Sequence, residues 1–65
     1  MFYAVTATVT KKDDKGSTTY QVPTFYLNAN VQGITGAAHA ARIAHEVINP
    51  TNDPTLDVSI FTVAA

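Results

Sequence analysis

TTYQVPTFYLNA, residues 18–29, reads as a β-strand that changes phase halfway. Tyr20 and Val22 share one parity, whereas Phe25, Leu27 and Ala29 share the other. Side chains of a strand alternate between two faces, so an unbroken strand would bury one set and expose the other. One extra residue near Pro23 restores a single apolar face. Proline has no N–H to give a ladder, so it belongs in a bulge or on an outer strand. The stretch is expected to be a bulged edge strand over about residues 18–30.

Upstream, FYAVTATVTK (2–11) alternates without interruption. Tyr3, Val5, Ala7 and Val9 fall on one face, and Phe2, Ala4, Thr6, Thr8 and Thr10 on the other. This predicts a half-buried strand over about residues 2–12, joined to the next by the turn residues of DDKGS (13–17). Downstream, Gln32-Gly33 ends the extension and Thr35 is a natural N-cap. A helix is expected over about residues 36–48. Its apolar stripe is Ala37, Ala40, Ala41, Ala44, Val47 and Ile48, with Ile43 at the border. Asn49-Pro50 stops it, because a residue before proline is driven out of the helical region. LDVSIFTVAA supplies a third strand over about residues 56–64, with Leu56, Val58 and Ile60 inward.

A right-handed crossover makes the third strand parallel to the second, and so antiparallel to the first. The expected fold is a two-layer α+β domain filling residues 1–65, of ββαβ type. Its three-stranded antiparallel sheet has order 2-1-3, with one helix packed on one face. The proline-free first strand is then central.

Composition narrows function by exclusion. Four Lys/Arg against five Asp/Glu leave a net charge of -1, and Lys11, Lys12 and Lys15 are interleaved with Asp13 and Asp14 in the turn. Nucleic-acid binders carry a basic face, so a nucleic-acid partner is not expected. No apolar run approaches the roughly 20 residues that cross a bilayer. MFYAVTATVT (1–10) lacks the basic region of a secretory signal, and proline spoils Asn49-Pro50-Thr51 as a glycosylation site. A soluble protein of the cytoplasm is expected, the host cytoplasm if the gene is phage-borne. Cysteine is absent, which removes disulfides and thiolate metal sites together. A chain this short buries only about 60% of its unfolded surface, so oligomerisation is an expected support, and a homodimer its simplest form.

The helix concentrates the polar chemistry in His39, Arg42, His45, Glu46 and Asn49. His45-Glu46-x-x-Asn49 imitates the zinc pattern H-E-x-x-H, but asparagine stands where the second imidazole is required. His39 and His45 project about 120° apart around a helix and do not converge on one ion. Ser17 and Ser59 have no predictable basic neighbour. Gly33-Ile34-Thr35-Gly36 reads as a tight turn into the helix rather than a phosphate loop. No catalytic residue, no metal and no cofactor is therefore expected, and no enzyme. Arg42 remains a candidate partner contact, because exposed arginine is common at interfaces.

The second face of the sheet has no helix to cover it. Phe2, Phe61 and Val63 would form one apolar patch there, joined by Tyr26 if the bulge lies where the parity puts it. The third strand also offers an edge without proline or lysine. Phe2, Tyr26, Phe61, Val63 and Arg42 are thus the expected partner-binding residues. The expected function is a small non-enzymatic interaction or assembly module that self-associates through the open face or the third-strand edge. The alternative is a nucleic-acid-associated protein that stacks bases on the same face.

TFYLNANVQGITGAAHAARIAHEVINP (24–50) resembles a pattern found in small proteins of tailed actinobacterial phages, where a strand leads into an alanine-rich helix. The resemblance implies a phage-encoded interaction domain with a host or phage protein as partner. It implies no catalytic residue.

Overall fold

The computed structural model describes all 65 residues. Its elements are β1 (Phe2–Asp13), β2 (Gly16–Asn28), α1 (Ala29–Gln32), α2 (Ala37–Ile48) and β3 (Leu56–Ala64). The sheet has order β2-β1-β3 with both pairings antiparallel, and α2 covers one face. The α+β architecture and its strand order are those the sequence predicts.

The hairpin closes more tightly than expected, with Asp13 paired to Gly16. Asp13 Oδ1 accepts from the Lys15 amide at 2.8 Å. Gly16 takes φ +133°, a backbone angle that side-chain-bearing residues rarely adopt. The phase change falls where the parity placed it. Val5 pairs with Phe25 and Ala7 with Val22, so Thr6 alone faces both Pro23 and Thr24. This bulge keeps Val22 and Phe25 on the same side of the sheet.

That side is the core. Tyr3, Val5, Ala7 and Val9 are buried, and Val5 and Val9 are the largest fully buried side chains. Ala40 and Ala44 of α2 are fully buried in one cluster with Tyr3, Val5, Leu27 and Ala29, and Phe25, Ile34, Ile43 and Ile60 pack around it. Alanine favours a helix and lets it settle close to a sheet. Thr62 adds a polar tie, its hydroxyl donating to the Ala37 carbonyl at 2.8 Å.

Three local expectations need correction. Residues 29 and 30 are not strand but the start of α1, because Asn28 Oδ1 accepts from the amides of Asn30 (3.0 Å) and Val31 (3.4 Å). A capped helical turn forms, and Gly33 closes it in the left-handed region with φ 65°. Second, Gly36 rather than Thr35 is the N-cap of α2, and it supplies no side-chain bond. His39, three residues into the helix, reaches back instead, with Nδ1 accepting from the Thr35 amide at 3.2 Å. Third, Val47 does not join the apolar stripe: it is 58 % exposed, whereas Ile43, expected at the border, packs on the core. One helix about 10 Å wide cannot cover three strands that each take up about 4.8 Å, roughly 14 Å of sheet in all. α2 lies over β3 and β1. Tyr20 on β2 accordingly stays 51 % exposed on the same face.

Asn49 does more than end the helix. Its amide donates to the His45 carbonyl, and its buried side chain donates to the Asp53 carbonyl while accepting from the Asp53 amide. Asp53 Oδ1 in turn accepts from the amide and hydroxyl of Thr55, at 2.9 and 2.7 Å. These bonds hold the carboxyl of Asp53 below its usual 3.8, the Thr55 amide first and the hydroxyl second, with the charge of Lys11 adding to them.

Candidate interaction surface

On the side of the sheet away from α2, strand register decides what lies beside what. Ala4 is flanked by Tyr26 on β2 and by Val63 on β3. Thr6 has Phe61 as its β3 neighbour, and Phe2 stands two residues above Ala4 on β1. Phe2, Tyr26, Phe61 and Val63 are 48, 62, 67 and 50 % exposed. The four apolar residues expected on the open face are therefore brought together around two small ones. The bulge is what adds Tyr26, by placing it opposite Ala4.

Farther along, the same face turns polar. Thr8 pairs with Gln21 and Ser59, and Thr10 with Thr19 and Asp57. The Thr10 and Thr19 hydroxyls lie 3.0 Å apart. Asp57 and Lys12 are the charges on this side, both toward the hairpin tip. Its apolar end carries no charged side chain.

Arg42, the other expected contact, lies on the helix and apart from these four. It sits on the outer side of α2, the opposite layer from the open face. With His45, Glu46, Asn49, Pro50 and Asn52 it lines a shallow depression of about 680 Å3.

Both histidines lie on α2, away from Ser59 on the open face, and no group of three or more His, Asp or Glu is placed to share a metal ion. No helix is long and apolar enough to cross a membrane. Tyr20, Val31 and Val47 are further exposed apolar residues that parity and helical spacing assigned inward or left unplaced. The signal that could have found Tyr20 and Val47 is the arithmetic of one helix over three strands.

Comparison with protein-family models, with curated proteins and with solved structures finds no match.

Proposed function

We propose that this protein is a non-enzymatic interaction or assembly module that binds protein, beginning with copies of itself, through the open sheet face. One observation carries the reading: Phe2, Tyr26, Phe61 and Val63 form a contiguous apolar surface without a charged side chain on a chain of only 65 residues. Such patches mark contact surfaces, and aromatic side chains dominate the energetics of contacts. The resemblance of residues 24–50 to phage proteins is compatible with this reading and assigns it no partner.

Rings on an open sheet could also stack bases. Phosphate-binding cations would then border them, and Lys12 lies toward the hairpin tip while Arg42 is in the other layer. The distribution of charge therefore favours protein over nucleic acid.

Light scattering across a micromolar-to-millimolar series tests the proposal. The chain should gain mass with concentration, and Phe61→Asp should remove that gain while the far-ultraviolet dichroism stays that of the wild type. Retention on heparin at moderate salt, with no change of mass at any concentration, would overturn it.

A further inference from the structure

We infer that the occupant of the open face is the same face of a second copy. The result is a helix–sheet–sheet–helix sandwich with its two-fold axis passing by Ala4 and Thr6. This rests on the interaction reading above and adds to it the partner and the mode of docking.

Area is the first argument. A compact protein of 6.9 kDa is expected to expose about 4,000 Å2, whereas this chain exposes 4436 Å2. The projecting hairpin accounts for part of the surplus, and the open face for part. At these exposures the four apolar residues present on the order of 450 Å2 of surface. Two copies contribute roughly 900 Å2, and the threonines and small residues between them bring a stacked pair into the 1,200–2,000 Å2 of about a standard interface.

Relief is the second argument. Ala4 and Thr6 are low points on the midline of the sheet, bordered by Tyr26, Val63 and Phe61. Stacked sheets lie about 10 Å apart with their side chains interdigitated, which requires large groups to meet small ones. A two-fold axis lying in the interface, along the strands and between β1 and β3, sets Phe61 and Val63 of each copy over Thr6 and Ala4 of the other, and the surface complements itself.

The alternatives leave the patch bare. Pairing through the free edge of β3 would satisfy backbone groups, yet Phe61 and Val63 would stay on an uncovered face that had doubled in size. Docking on the outside of α2 would bury the polar depression around Arg42 and none of the rings. Charge does not oppose stacking, since Lys12 and Asp57 lie away from the apolar end and the net charge is -1.

Isotope-filtered NMR on a mixture of labelled and unlabelled wild-type chain tests the inference. The expected result is a set of intermolecular contacts from the ring of Phe61 to the methyl group of Thr6 and from the methyl groups of Val63 to that of Ala4. Phe61→Asp should weaken the dimer by roughly 30-fold or more, the range of an interface hot spot. Phe61→Leu, which keeps an apolar group, should retain most of the affinity. Intermolecular contacts confined to the β3 backbone or to α2 would overturn the stacked arrangement, and so would a chain that remains monomeric at millimolar concentration. In that last case, p-benzoyl-phenylalanine at position 61 separates the two failures. Crosslinking to a different protein would leave the interaction reading standing, and no crosslink at all would remove both.

Discussion

The two faces of this sheet are built by the same strands and differ in what happened to them. Toward α2, β1 presents Tyr3, Val5, Ala7 and Val9, all buried. Away from it, β1 and its neighbours present Phe2, Ala4, Tyr26, Phe61 and Val63, and the large members are about half exposed or more. The apolar ends of the two faces do not differ in hydrophobicity. The cover does: Ala40 and Ala44 of α2 are fully buried in one cluster with Tyr3 and Val5, whereas Phe2, Tyr26, Phe61 and Val63 lie on the side away from α2. A sheet side becomes core only when the same chain supplies its cover.

Identical chemistry on the two faces gives the strongest way to break this contrast. Val5→Asp should abolish the cooperative thermal transition, because a buried, unpaired carboxylate costs about 3–5 kcal/mol, enough to unfold a chain of this size. Phe61→Asp should leave the melting of the monomer nearly unchanged. If both variants unfold, the open face is part of the core and the contrast is void.

Next in size is Asn49→Ala. It deprives the Asp53 amide and carbonyl of their side-chain partner, and urea denaturation should show a loss of about 1–3 kcal/mol. Within the helix, Ile43→Ala should destabilise by about 2 kcal/mol, the low end for truncating a packed isoleucine. Val47→Ala should stay within about 0.5 kcal/mol. Equal losses would mean that α2 is rolled toward β2.

The smallest effect is in acid. The carboxyl of Asp53 is held below its usual value by Thr55. The unfolded chain therefore binds more protons near pH 4, and stability from this group rises with pH there. Its contribution is fully present above the ordinary aspartate value of 3.8 and fades as pH falls through the lower folded value. Asp53→Asn should flatten the stability profile in that acid window and leave neutral pH closer to the wild type. An unchanged acid slope would show that the Thr55 bonds do not persist in solution.

What the sequence reveals of this fold follows from periodicity. Ten alternating residues define β1, and the parity break between Val22 and Phe25 places the bulge. Crossover handedness sets the strand order. The same parity assembles Phe2, Tyr26, Phe61 and Val63 without any knowledge of distances. Features that rest on single side chains were out of reach. Asn28 looks like one more strand residue until its carboxamide is seen capping α1. Asn49 looks like a helix stop until it is found buried, with its amide bridging to Asp53. Val47 has the spacing of a core residue and lacks only a strand beneath it. Arg42 lies where helical spacing puts it, on the exposed side of α2.

The bulge at Pro23 and Thr24 also makes insertions and deletions unequal along this chain. Loss of one residue inside β1 or β3 would turn the remaining side chains of that strand over, exchanging inside for outside. Loss of Thr24 would instead leave Thr6 opposite Pro23 alone, with Val22 and Phe25 facing the side they face now. The fold would survive that deletion. β2 would lose the kink that interrupts its outer edge, and the cost would be paid in solubility, as strands of neighbouring molecules found a straighter edge to extend.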